Sequence, residues 1–100
     1  MTTNTATINR TTVEQIGRMN VLAISGGRIK AITETTIELP VHAGYHVRIE
    51  YVRGSDTYTV TRLFRRGAKE WVKGQATNVY NTELGEIAYR ASCYLDEFNA

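Results

Sequence analysis

The spacing of apolar residues changes period along the chain, and each change predicts a different element. Six of the first twelve residues are threonine, and after Met1 only Ala6 and Ile8 among them are apolar. Such a stretch offers too little apolar surface to offset its ordering entropy, which predicts a flexible tail over residues 1–11. Thr12-Val13-Glu14-Gln15 has the form of a capping box, and Val13 and Ile16 share a helical face. A short helix near 12–18 is expected, ended by Gly17. Val21-Leu22-Ala23-Ile24 is a brief apolar run closed by Ser25-Gly26-Gly27. Its length favours a buried strand, with a helix capped at the glycine pair as the competing reading. Arg28-Ile29-Lys30-Ala31-Ile32 and Thr36-Ile37-Glu38-Leu39 both alternate, as half-buried strands do. Pro40 cannot donate to a ladder and marks a strand end or a sheet edge.

The strongest alternation lies in the middle. Tyr45, Val47, Ile49 and Tyr51 fall on one face, with His46, Arg48 and Glu50 on the other. Turn chemistry at Arg53-Gly54-Ser55-Asp56 leads into a second run carrying Tyr58, Val60, Arg62 and Phe64 on one side. Arg66-Gly67-Ala68-Lys69 makes the next turn, and Glu70-Trp71-Val72-Lys73 begins a third strand. Two tight connections between β-branched and aromatic runs predict an antiparallel meander. From Asn81 the period becomes helical: Leu84, Ile87, Ala88, Ala91 and Leu95 form one stripe. Asn81 or Thr82 can cap this helix, and Asp96 and Glu97 sit badly at its far end, so regularity should fade near residues 94–96. The stripe needs a partner and the meander needs a cover. Together they predict an α+β domain over residues 12–100, an antiparallel meander packed by a C-terminal amphipathic helix with a short N-terminal helix beside it.

Composition sets limits on this picture. The chain has 100 residues, 42% apolar and 22% charged, which suits one soluble domain without an interlobe cofactor cleft. No apolar run approaches the ~20 residues of a membrane span, and the N-terminus lacks the basic start and apolar stretch of a signal peptide. A cytosolic protein with no membrane association is the expectation. Twelve Lys/Arg against ten Asp/Glu give a net charge of +2, unevenly spread. Residues 62–73 hold Arg62, Arg65, Arg66, Lys69 and Lys73 against Glu70, whereas residues 74–100 hold Arg90 against Glu83, Glu86, Asp96 and Glu97. The middle is basic and the tail acidic.

Reactive constellations are sparse. His42 and His46 have a metal-ligand spacing only on a helix, which Pro40 and Gly44 oppose, and no nearby carboxylate completes a ligand set. Cys93 reads as a small half-buried residue rather than a nucleophile. Ser25-Gly26-Gly27-Arg28 reads as a glycine turn; an anion nest is the sharper alternative. No Ser/His/Asp arrangement emerges, and the upstream acids Glu14, Glu34, Glu38, Glu50 and Asp56 form no evident acid/base pair. Neither a catalytic centre, a metal nor a cofactor is expected.

One constellation invites a binding role. Arg62, Arg65, Arg66, Lys69 and Lys73 are interleaved with Tyr58, Phe64 and Trp71 on the second hairpin. Cations can pair with phosphates and aromatic faces can stack on bases, so the ribbon could hold DNA or RNA. The plainer reading puts Phe64 and Trp71 in the core and leaves the cations as a solvated hairpin tip. Arg62 shares its face with Tyr58, Val60 and Phe64, so it must either break that face or reach out along its stem.

The order of segments adds a resemblance. Val13-Glu14-Gln15-Ile16-Gly17, Val21-Leu22-Ala23-Ile24-Ser25-Gly26-Gly27, Glu38-Leu39-Pro40 and Asp56-Thr57-Tyr58-Thr59-Val60 resemble a group of short phage and prophage proteins of unassigned activity. Arg66-Gly67, Val72-Lys73-Gly74, Val79-Tyr80 and Leu84-Gly85-Glu86-Ile87-Ala88-Tyr89-Arg90-Ala91-Ser92-Cys93 are most similar to versions carried by actinobacterial phages, including mycobacteriophages. The resemblance carries no site residues with it. It implies an accessory role in the cytoplasm of an infected bacterium. Two functions then stand: a small non-enzymatic protein that binds and modulates a host protein by a sheet edge or the Tyr89/Cys93 side of the last helix, or a nucleic-acid-binding module using Arg62, Arg65, Arg66, Lys69, Trp71 and Lys73. The modest basic excess places the first ahead.

Overall fold

A computed structural model of the chain describes residues 3–93. The elements run α1 (Thr3–Ile16), α2 (Arg18–Ser25), β1 (Lys30–Ala31), β2 (Thr36–Pro40), β3 (Tyr45–Val52), β4 (Thr57–Arg66), β5 (Lys69–Val79) and α3 (Leu84–Ser92). The five strands form one antiparallel sheet in the order β1-β2-β3-β4-β5, the meander expected from the alternation, extended by two strands on its N-terminal side. α3 packs on it, so the α+β reading holds. Among the described residues no helix is long and apolar enough to cross a membrane.

One face of the sheet carries the core. Ile37 and Leu39 of β2 pair with Ile49 and Val47 of β3, and Ile49 pairs in turn with Val60 of β4. These side chains join Ile16, Val21, Ile24, Leu84, Ala88 and Ala91 from the helices in one buried cluster. Period-two alternation on the strands and a three-to-four spacing on α3 thus meet in a single apolar layer.

The N-terminal third departs from the sequence reading. The segment expected to be a loose tail is helical from Thr3, and Thr12, expected as a cap, lies inside α1. Its hydroxyl donates to the Ile8 carbonyl at 3.1 Å, so the side chain stays buried without leaving the helix. Asn9 donates to the Thr33 carbonyl at 3.0 Å and fastens the helix to the β1–β2 turn. The apolar run 21–24 is helix rather than strand. Val21 and Ile24 face the core one turn apart, Leu22 and Ala23 face out, and left-handed Gly26 (φ 67) closes the end by donating to the Leu22 carbonyl at 2.9 Å. The alternation over residues 28–32 becomes ladder only at Lys30 and Ala31. α3 has Glu83 at its N-cap without a side-chain cap bond, so neither Asn81 nor Thr82 fills that role. It stops at Ser92, and Leu95 with the acidic residues beyond lies outside the described residues.

α3 rests on the elbow between α1 and α2. Gly17 (φ 96) separates those two helices, and Asn20 donates from its side-chain amide to the Ile16 carbonyl at 2.9 Å. Gly85 meets this elbow directly. A Cβ there would run into the Ile16 carbonyl oxygen and stand 2.6 Å from the Asn20 amide nitrogen. Glycine is therefore kept inside the helix for close approach, against its propensity. Gly85→Ala is expected to destabilise the domain, because overpacking costs about 1–3 kcal/mol while alanine's helical advantage returns about 1 kcal/mol. A urea midpoint below that of the parent protein is the expected result; a higher midpoint would show that the elbow has room to spare.

Candidate functional site

All six residues singled out as a binding site lie on the β4–β5 ribbon, but the pleat sends them to different places. Arg62 points into the molecule. It sits on the core face opposite Val47 and keeps 6% of its surface exposed. Its guanidinium donates to the backbone carbonyls of Ala91, of Arg90 at 2.9 Å and of Cys93 at 2.8 Å. Those carbonyls end α3, where helical partners run out and the dipole is negative. The Cys93 backbone at this cap is extended, not left-handed, so the helix end has no glycine turn to satisfy it. Arg62 supplies the donors instead. It is a structural cation, unavailable to a phosphate, and the parity conflict noted in the sequence is resolved by burial.

Arg65 points to the opposite face, into an ion network laid across four strands. Glu38 and Arg48 are register partners on β2 and β3, and Arg65 and Glu70 are register partners on β4 and β5. One Glu38 carboxylate oxygen accepts from Arg48 at 2.9 and 2.8 Å and from Arg65 at 3.0 Å. Glu70 in turn accepts from Arg65 at 2.9 Å and, more loosely, from Arg48 at 3.4 Å. The two guanidiniums roof Glu38 so completely that its side chain is 2% exposed. Burial alone would push its carboxyl upward; the hydrogen bonds and charges of Arg65 and Arg48 outweigh that and hold it below its ordinary value. His46, on the same face, is pushed downward by its own burial and then by the Arg65 charge, which favours the neutral imidazole. Two acids and two bases cancel here, so Arg65 adds nothing to a basic surface.

Arg66, Lys69, Lys73 and Trp71 remain at the surface. Arg66 and Lys69 face each other across the Gly67 turn (φ 61). Lys73 is the extra residue of a bulge, since Arg62 pairs with Gly74 and Leu63 with Val72. None of the three cations makes an ion pair with a described residue. Trp71 is 42% exposed, stacked at 5.7 Å on Phe64, which meets Tyr45 at 5.0 Å. Beside it Val72, which sequence reading did not single out, is 62% exposed. β5 is the outermost strand, eleven residues long, whereas the opposite edge is the two-residue β1. The surface that survives is thus an edge strand bearing Trp71, Val72, Lys69 and Lys73, with Arg66 of β4 beside Lys69 across the turn.

Among the described residues no three His, Cys, Asp or Glu side chains gather as a metal would require. His46 is held in β3 against Leu63, and Cys93 ends α3.

The Glu38 network makes stability depend on acid in a defined direction. A carboxyl held below its unfolded value near 4.5 contributes stability that is present above that value and lost as pH falls through the folded one. Glu38→Gln is expected to cost about 1–3 kcal/mol at neutral pH, its partners being partly solvated, and to flatten the fall in urea midpoint below pH 4.5. Parallel acid profiles for the two proteins would remove the network from the account. Compared with known proteins, the chain matches no family model, no curated protein and no solved structure.

Proposed function

We propose that the chain is a small non-catalytic accessory protein of a phage that binds an acidic, extended segment of a host bacterial protein along the outer edge of β5. The observation that supports this most is the edge itself: a long outer strand where Trp71 and Val72 stay exposed among three cations without described ion-pair partners. An edge strand offers backbone donors and acceptors to an incoming strand, and neighbouring apolar side chains give it something to bury. Charge selects the partner. Arg66, Lys69 and Lys73 repel a second copy of the same edge and attract carboxylates, and the bulge at Lys73 confines regular pairing to the stretch between the hairpin turn and Val72. The phage setting and the cytoplasm of the infected cell rest on the resemblance of the segments quoted above.

The nucleic-acid reading keeps one supporting observation, the proximity of exposed Trp71 to three cations. It loses Arg62 to the helix end and Arg65 to Glu38 and Glu70. Three phosphate contacts support only weak binding that fades quickly with salt.

Nuclease-treated host lysate passed over the tagged protein distinguishes the two. A stoichiometric host protein with an acidic segment should be retained, and Trp71→Ala or Val72→Glu should each weaken retention by about tenfold or more, the first by truncating a central apolar anchor and the second by also opposing the acidic segment. Both variants should keep the parent circular dichroism. Retention indifferent to both substitutions would overturn the edge assignment. Retention that vanishes with nuclease, together with salt-sensitive binding of oligonucleotides lost in an Arg66/Lys69/Lys73 triple alanine variant, would decide for nucleic acid.

A further inference from the structure

At the far end of the sheet from the basic hairpin, α1, the β3–β4 turn and the β5–α3 connection surround a half-open hollow of about 400 Å³. Tyr51, Tyr58 and Tyr80 give it aromatic walls, and Gln15, Asp56 and Asn81 bring polar groups to it. Tyr51 and Tyr58 are register partners on β3 and β4, with ring centroids 5.5 Å apart at 57°. Tyr58 is 5% exposed and Tyr80 is 60% exposed, so one wall is fixed in the core while the other stands at the rim.

Asp56 is held in an unusual way. Its backbone is left-handed (φ 55), and its N–H closes the turn onto the Val52 carbonyl at 2.9 Å. One carboxylate oxygen accepts the Tyr51 hydroxyl at 2.6 Å. That bond aims the carboxylate and keeps the phenol protonated: the hydrogen bond to Asp56 raises the Tyr51 hydroxyl above its ordinary value. Arg53 of the same turn pairs with Glu34 at 3.5 Å, and its charge acts on the Tyr51 hydroxyl only as the smallest of the influences there. Among the described residues, Asp56 is the one acidic side chain lining the hollow, and no lysine or arginine lines it. In a protein of net charge +2, this is a negatively charged aromatic recess.

Aromatic faces and a carboxylate both attract cations, and side-chain amide oxygens accept from N–H donors. A single carboxylate cannot satisfy a metal ion, which takes several protein ligands. The volume also exceeds that of a bare ion and suits a chain of several carbons. We propose that this recess binds an alkylammonium group, with the charge set against the free oxygen of Asp56 and the methylenes lying over Tyr51, Tyr58 and Tyr80. The site is separate from the β5 edge and stands or falls apart from it.

Titration of the ¹⁵N-labelled protein with n-butylammonium chloride tests this, with n-butanol and sodium butyrate as uncharged and anionic controls at matched ionic strength. Saturable amide shifts should cluster in the β3–β4 turn and around Tyr80 and Asn81 with the ammonium, and should be absent with butyrate. Asp56→Asn, which suits a left-handed backbone and so preserves the turn, should weaken binding by about tenfold, and Tyr80→Ala by about threefold. 1,4-Diaminobutane and a terminally blocked lysine peptide then separate the two sources of the group, a free amine or a protein side chain, by which saturates first. Equal shifts from n-butanol and n-butylammonium, no saturable shift, or an unchanged affinity in Asp56→Asn would each overturn the proposal.

Discussion

The guanidinium of Arg62 beneath the end of α3 is the contact on which the rest of the structure depends. α3 is nine residues long, too short to persist as a helix by itself in water. It must be held by what it touches, and it touches the sheet through Leu84, Ala88 and Ala91 and through the carbonyls that Arg62 satisfies. Without those donors the helix terminus would be set against an apolar layer with unpaired carbonyls, a cost of about 1–3 kcal/mol for each buried group. Charge and helix dipole also have matching sign here: a cation lies at the negative end. Arg62 shares the core face with Val60 and with its register partner Val47, so one residue serves the core and its polar boundary.

A second buried charge on the other face has the complementary effect. Glu38 draws Arg48 and Arg65 down onto β2, and Glu70 joins them from β5. The network crosses the sheet perpendicular to the strands and fixes their register, since a slip of one residue would send each partner to the wrong face. Together the two arrangements remove Arg62 and Arg65 from a basic cluster that looks contiguous in sequence. What stays outside is smaller and more apolar, and it lies along an edge. The proposed edge-binding role rests on that redistribution more than on the total charge.

Where alternation was strict, the sequence was a reliable guide. β3, β4 and the start of β5 read directly because Tyr45 through Tyr51 alternate without interruption, Tyr58 through Phe64 do so apart from Arg62 and Leu63, and both turns carry glycine. The stripe of Leu84, Ala88 and Ala91 was equally plain. Failures came where two local rules competed. Val21 to Ile24 is too short for period to separate strand from helix, and the outcome was decided by the left-handed Gly26 cap and by docking against Ile16. The threonine-rich start looked unable to bury itself, yet Thr12 is buried with its hydroxyl satisfied one turn back. The site was half legible. Arg62 carried a warning in its parity, but the partners of Arg65 come from β2 and β5 and could not be matched before the ladder register was known. The recess at Asp56 gave no periodic signal, because its walls come from α1, both strands of a hairpin and a distant connection.

The claim that Arg62 anchors α3 is tested most directly by native-state hydrogen exchange in Arg62→Met, which keeps the apolar stem and removes every donor. Amides of α3 are expected to lose protection by about thirtyfold or more, equivalent to about 2 kcal/mol, while those of the β3–β4 ladder lose less. Protection in α3 equal to that of the parent protein would contradict the account.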